Sequence, residues 1–331
     1  MKPMATTASY RRRNFAAGGG LALAIAWSMA AAQDAGPADG DDRGRGRSVA
    51  AIDVPLADSP VEEVELKSAD GIDLRFFWRR PRGAGPVPAI LFLHGGGKQA
   101  AGGRLKQSLE HGAVQTRFLA AGFATVECTR RPFWKSRPDD GPTGFDAAVD
   151  DTVAIIEKVR RLPGIDGRIV LYGGSGGGIL ALVAASRTEV AGVIAGEPAT
   201  VVPLAPDAGE RNAGVRGYGD LMADPQAAYV GERRAAMRAW MAKVGCPVLL
   251  LQGKPEGLHK INTEILAPEL RSLGKDVTVV NYPELRHGFY FGSVAAGATP
   301  ESVDRVVREA TAFIRRLPAA RPQDVGAAAG R

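Results

Sequence analysis

Through its middle the chain alternates short, nearly unbroken apolar runs with longer stretches in which apolar residues recur every three or four positions. The runs Pro88–Leu93, Phe123–Cys128, Arg168–Tyr172, Val190–Ala195, Val248–Leu251 and Val277–Tyr282 have the length and content of strands buried on both faces. The stretches between them read as helices. Leu105–Ala121 is closed by Gly122, and Phe145–Arg161 carries a stripe of Phe145, Val149, Val153, Ile156 and Val159 before Pro163-Gly164. Ile179–Arg187, Asn262–Leu273 and Glu301–Leu317 follow. Ahead of them all, Val61–Lys67 and Ile72–Trp78 alternate polar and apolar residues about Ala69-Asp70-Gly71, which predicts a hairpin. A hairpin followed by repeated strand and helix predicts an α/β fold: a mostly parallel central sheet, helices on both faces and an antiparallel N-terminal pair. The long irregular section after Ala195 leaves room for a small cap at 201–242.

Outside residues 61–317 this pattern stops. Tyr10-Arg11-Arg12-Arg13-Asn14-Phe15 precedes an uncharged, Ala- and Gly-rich stretch, Ala16–Ala32, which ends in small residues before Gln33. A basic region, a modest apolar core and a small-residue cleavage site predict a signal peptide over 1–32. Arg12-Arg13 with Phe15 two positions later resembles a twin-arginine export motif, which implies a periplasmic or secreted bacterial protein. The alternative, an uncleaved anchor, requires a longer apolar run than this one, which contains Gly18-Gly19-Gly20. Residues 33–60, rich in Asp, Gly and Arg at their start, are expected as a disordered linker, and 318–331 as a disordered tail.

Charge changes meaning once the signal is set aside. The chain carries a formal +6, but residues 1–32 hold Lys2, Arg11, Arg12 and Arg13 and no acid, so the remainder carries +2. That balance gives no support for nucleic-acid binding, or for membrane binding after signal cleavage. Cys128 and Cys246, the two cysteines, border buried runs and are open to pairing or to a buried unpaired role. Four unclustered histidines offer no metal site, and no cofactor is expected.

Candidate chemistry sits where apolar runs end. Arg168–Tyr172 leads into Gly173-Gly174-Ser175-Gly176-Gly177, a G-x-S-x-G spacing at a strand–helix junction. Glycines there let the chain turn sharply about a strained serine, whose hydroxyl is pushed out above the sheet. The other reading of such a turn, a phosphate-cradling loop, lacks its lysine. Pro88–Leu93 ends in His94-Gly95-Gly96-Gly97, and Val277–Tyr282 is followed by His287-Gly288-Phe289. With these three stretches in this order, the chain resembles the α/β-hydrolase superfamily over roughly Val61 to Leu317. The HGF ending and the hairpin start make it similar to the dienelactone-hydrolase-like and prolyl-oligopeptidase-like branches, of esterase type.

The resemblance implies an α/β-hydrolase fold and a secreted serine esterase working through an acyl-enzyme. Ser175 is then the nucleophile and His287 the general base, while His94 orders its loop. The backbone N–H groups of Gly176 and of Gly96 or Gly97 form the oxyanion hole. The acid of the triad is expected at Glu256, after the strand Val248–Leu251, with Glu197 in Ala195-Gly196-Glu197-Pro198 as the second choice. The implied partner is a small-molecule ester. Arg130, Arg131, Phe133, Trp134, Lys135 and Arg137, with cap residues such as Arg211, Tyr229, Arg234 and Trp240, favour an anionic or sugar-bearing acyl group. Two alternatives stay open: a prolyl-oligopeptidase-like serine peptidase, and a non-catalytic binding protein on the same fold. The oligomeric state is not legible.

Overall fold

The computed structural model describes residues 47–55, 58–83, 85–96, 102–132, 144–204 and 218–318. The signal-peptide and tail assignments lie outside the described residues. Among those described, no helix is long and apolar enough to cross a membrane.

Eight strands build one sheet: β1 (Glu62–Lys67), β2 (Asp73–Arg79), β3 (Val87–Leu93), β4 (Ala124–Cys128), β5 (Ile165–Gly174), β6 (Gly192–Gly196), β7 (Val248–Gln252) and β8 (Val277–Asn281). Their order is β1-β2-β4-β3-β5-β6-β7-β8. β1 pairs antiparallel with β2 and β2 with β4, and every later pairing is parallel. The expected fold class is what the chain adopts. Seven helices matter here: α1 (Gly102–His111), α2 (Ala113–Ala120), α3 (Phe145–Val159), α4 (Gly176–Ala184), α5 (Gly231–Met241), α6 (Ala267–Ser272) and α7 (Pro300–Arg316).

The inner stretches of β3, β5 and β7 (Ala89–Leu93, Ile169–Tyr172 and Val248–Leu251) are apolar because both faces are covered. Ile90, Phe92, Val170, Tyr172, Ile194, Leu249 and Leu251 join Phe118 of α2 and Val303, Phe313 and Ile314 of α7 in one core cluster. Side chains alternate along a strand, so Leu91, Leu171, Val193 and Leu250 turn to the opposite face, where α3 and α5 pack on α4. α7 is the most strongly two-sided helix, and Thr299 starts it with a reciprocal capping box to Ser302.

Three expectations change. The helix expected over Leu105–Ala121 is two helices, broken at Gly112, whose extended backbone turns the chain between α1 and α2. A side chain at Gly112 would collide with Gln115 and with the Ser108 carbonyl. The helix expected from Asn262 opens with a π-helical turn, Asn262–Leu266, before α6. Within the expected linker, the described residues from Arg47 on are tied down. Val49 is buried and donates to the Gly292 carbonyl at 2.8 Å, and Arg79 donates to the Val54 and Ser59 carbonyls at 3.0 and 2.8 Å.

Both cysteines are buried and free. Three strands separate β4 from β7, and Cys128 ends β4 whereas Cys246 precedes β7, so the lateral spacing alone, about 19 Å at roughly 4.8 Å per strand, is too far for a disulfide. Burial pushes both thiols up to about 12, so neither is a ready nucleophile.

Candidate active site

Register brings the motifs together. Leu93 of β3 pairs with Gly173 of β5, Gly174 with Gly196 of β6, and Gly196 with Leu251 of β7. His94, Ser175, Glu197 and Gly253 therefore leave neighbouring strands at the same sheet edge, beyond the carboxyl ends where open α/β sheets bind ligands.

Ser175 sits between β5 and α4 with φ 53° and ψ −120°. It is held there by Ser175 N donating to the Gly196 carbonyl and by Ala199 N donating to the Ser175 carbonyl, both at 2.9 Å. The outer glycines of the motif are demanded by space: a methyl at Gly173 would lie 2.2 Å from the Gly177 carbonyl oxygen, and one at Gly177 only 1.9 Å from that of Leu93. Gly176 opens α4, so its N–H has no partner inside the helix.

Ser175 and Glu197 are the non-glycine residues with positive φ among those described; Glu197 stands at 40°. Such backbone costs about 1–3 kcal/mol per residue and persists only where the surroundings over-determine it. Here they do. Glu197 N donates to the Leu251 carbonyl at 2.9 Å, its Oε1 accepts from Gly253 N at 3.2 Å, and its Oε2 accepts from His287 Nδ1 at 2.9 Å. A carboxylate only accepts, so His287 carries its proton on Nδ1 and presents the Nε2 lone pair.

The structure thus brings Glu197, not Glu256, to the histidine. Glu256 is exposed in the turn after β7, although its neighbour Lys254 is tied by its backbone N–H to the Leu285 carbonyl at 2.7 Å, close to His287 in sequence. Gly253 is what that turn contributes: a side chain there would press on Glu197 Oε1 at 3.0 Å. The Gly196-Glu197-Pro198 step directly after β6 is the one sequence signal for the acid.

The loop after β3 lies against the nucleophile. A methyl at Gly95 would sit 3.4 Å from Ser175 Cβ, and Gly96 takes φ 72°. Gly97, the other expected oxyanion donor, lies outside the described residues. Behind the loop, the buried Arg130 guanidinium donates to the Gly96 carbonyl and, at 3.4 Å each, to those of His94 and Gly95. C=O and N–H point opposite ways in a trans peptide, so the His94 and Gly95 carbonyls drawn toward Arg130 turn the N–H groups of Gly95 and Gly96 away from it. His94 Nδ1 donates to the Gly95 carbonyl at 2.9 Å; burial, and then the charge of Arg130, hold its imidazole down at about 3. That bond joins the first two residues of the loop to each other.

Arg130 and Arg131, the first cations of the segment expected to meet an anionic substrate, are engaged inside. Arg131 forks onto buried Asp151 at 2.7 Å through both Nε and Nη2, and onto Asp70 of the hairpin turn at 2.7 and 2.8 Å. The residues that follow, Phe133 to Arg137, lie outside the described residues, as does Arg211 of the cap. Within the cap section, short helical turns at 201–204, 218–223 and 225–228 lead into α5, where Arg234 and Arg238 pair with Glu269.

Tyr290 is the site residue that sequence reasoning missed. It follows His287 by three positions in a 3₁₀ turn, Phe289–Phe291, flanked by left-handed Gly288 and Gly292. Its hydroxyl lies 3.1 Å from His287 Nε2, and its ring is edge-on to the imidazole with centroids 5.6 Å apart. No group of three or more metal-ligating side chains occurs among the described residues.

Residues 70–219, a little under half of the chain, match the family model for X-Pro dipeptidyl-peptidase (S15 family). No curated protein sequence matches the chain. Among solved structures, esterase Est22 is similar, with a TM-score of 0.58 at 21% identity over 79% of this chain and 81% of that one. A bacterial brefeldin A esterase, described as a homologue of human hormone-sensitive lipase, gives 0.57 at 19% identity over 89% and 86%. The acylaminoacyl peptidase of Pyrococcus horikoshii gives 0.57 at 18% identity over 78% of this chain and 42% of its own. At such identities the structural likeness carries the fold. The chain thus has the α/β-hydrolase fold of these structures, with a serine at the turn between β5 and α4, and it matches the S15 family model over the part that contains that turn.

Proposed function

We propose that the protein hydrolyses carboxylic esters through a Ser175–His287–Glu197 triad and an acyl-enzyme. The observation that carries the reading is the 2.9 Å contact from His287 Nδ1 to buried Glu197, at the sheet edge where Ser175 leaves β5. Ser175 Oγ attacks the ester carbonyl while His287 Nε2 takes its proton. The negative oxygen that forms is met by the Gly176 N–H and by the amides of the His94–Gly96 loop, with Gly97 the further donor on the sequence pattern. Collapse of the tetrahedral intermediate breaks the C–O bond, and the leaving alcohol departs with the proton from Nε2. Water, deprotonated by the same nitrogen, then releases the acid and restores Ser175.

The substrate in this reading is a small-molecule ester. An anionic preference loses the support of Arg130 and Arg131, whose guanidiniums serve the fold. Export by the twin-arginine route, with a periplasmic or secreted destination, is proposed on the Arg12-Arg13 pattern and the apolar stretch after it. A second reading, a serine peptidase, draws on the S15 family-model match and on the acylaminoacyl peptidase neighbour. Both readings use the same residues.

The test is hydrolysis of short-chain p-nitrophenyl esters beside an X-Pro p-nitroanilide panel, with Ser175→Ala as the control. Turnover of the esters alone, lost by at least about 10³-fold in the folded variant, is the expected outcome. Preferential cleavage of the anilides moves the assignment to the peptidase. Turnover that survives in Ser175→Ala removes the triad.

A further inference from the structure

Tyr290 touches all three parts of the proposed triad's framework. Its hydroxyl lies 3.1 Å from His287 Nε2, and its ring fills the space over the residue before Ser175 and the residue before Glu197. A methyl at Gly174 would lie 1.9 Å from Tyr290 Cε2, and one at Gly196 would lie 2.4 Å from its Cγ. The outer glycines of the elbow motif serve the turn, but Gly174 and Gly196 serve this ring. The ring has little freedom to leave. It is buried, its own backbone carbonyl accepts from Tyr172 Oη at 2.5 Å, and Phe289 and Phe291 pack edge-on against it at 5.4 Å.

The protonation states are fixed by the partners. His287 Nδ1 holds its proton for Glu197, so Nε2 offers one in-plane lone pair. Burial, followed by the Glu197 charge, pushes the Tyr290 phenol well above its ordinary range, so the hydroxyl is neutral and is the donor. That lone pair is the one Ser175 needs. Ser175 Oγ meanwhile makes no hydrogen bond among the described residues. Glu197 already fixes tautomer and tilt from the other side of the ring, so the Tyr290 contact is not required to set either.

We infer that Tyr290 is a positioning residue that holds the His287 base in a resting pose by competing with Ser175 for its Nε2 lone pair. The inference rests on the triad reading above. Each acylation then begins with the phenol O–H rotating off Nε2, and the Ser175 O–H taking its place before the proton moves.

Tyr290→Phe removes the hydroxyl and keeps the ring over Gly174 and Gly196. The expected result is a rise of about 2- to 10-fold in the rate of Ser175 modification by an organophosphorus fluoride, the factor one net hydrogen bond is worth. The rise should appear in kcat for p-nitrophenyl esters with KM unchanged. A slower or equal reaction overturns the proposal. If neither wild type nor variant is modified, the serine-hydrolase reading itself fails, which separates the two. Should the variant unfold, the wild type suffices: the ¹⁵N shift of His287 Nε2 reports a hydrogen-bonded nitrogen in the resting enzyme and a changed one after Ser175 is phosphonylated. A shift typical of a free Nε2 at rest contradicts the proposal.

Discussion

Two buried glutamates show how this fold separates the carboxylate of the proposed triad from one that fills space. Glu197 stands just past β6 on a left-handed backbone, faces a histidine, and takes a backbone N–H on its other oxygen. Glu127 stands inside regular β4, between Phe77 and Phe92 of the neighbouring strands. Its Oε1 accepts from Ser108 Oγ and Gln115 Nε2, both at 2.8 Å, and no cation pairs with it among the described residues. Burial outweighs those two bonds and pushes its carboxyl up to about 7. The difference lies in what surrounds the group, not in how deep it lies. Strained backbone and an ionisable partner mark the functional site, whereas regular backbone and neutral donors mark a packing solution for the break between α1 and α2.

The comparison breaks first at Glu197. Glu197→Gln keeps an acceptor for Gly253 N but presents His287 with a neutral amide in place of a charge. Ester turnover is expected to fall by about 10²- to 10⁴-fold, with KM little changed, measured by initial rates. Glu256→Gln, at the exposed position that the family resemblance implies, should stay within about 2-fold. Equal losses in both variants would mean that the β7 turn moves to bring its own carboxylate to the histidine.

A third buried carboxylate sharpens the contrast. Asp151 of α3 is held by a full fork from Arg131, which also pins Asp70 in the hairpin turn well below its ordinary range. Here charge is balanced within the fold, between α3, the segment after β4 and the hairpin turn. Arg131→Met leaves Asp151 buried and uncompensated, so unfolding in urea should show a loss of about 3 kcal/mol. Activity per folded molecule should be unaffected. A stable but inactive variant would give the pair a role in the site.

Much of this was readable in the sequence. The three apolar runs that end in glycine-rich or histidine-bearing turns located the sheet edge and, with it, Ser175, His287 and the His94–Gly96 loop. The family pattern points to Glu256 before Glu197, whereas the structure brings Glu197 to the histidine, because the choice depends on where β6 and β7 end relative to each other, a register fixed by non-local pairing. A glutamate at φ 40° has no sequence signature. Arg130 and Arg131 suggest cations for an anionic substrate because sequence does not show that one turns back onto loop carbonyls and the other onto an aspartate twenty residues on. Nothing in the sequence singles out Tyr290 from Phe289 and Phe291 beside it. Its sign was dispersed over Gly174 and Gly196, which meet only in three dimensions. Gly112 was visible, yet a helix pattern ran on both sides of it, and only the collision with Gln115 makes the break necessary.

Glu127 supplies the smallest effect. Its carboxyl ionises near 7 in the folded protein against about 4.5 in an unpaired one, so the folded state binds a proton that the unfolded chain has already released between those values. A folded-state pKa that is raised stabilises fully below the unfolded value, and the benefit disappears as pH rises through the folded one. Wild-type stability should therefore fall from pH 4.5 to 7.5 by an amount of order 1–3 kcal/mol beyond what other groups contribute. Glu127→Gln keeps one oxygen to accept from Ser108 and Gln115 and has no proton to lose. Urea midpoints of variant and wild type should converge near pH 4.5 and separate in the variant's favour above 7. A constant gap across that range would mean Glu127 is charged throughout, and that the pocket between α1 and α2 holds a counter-charge for it.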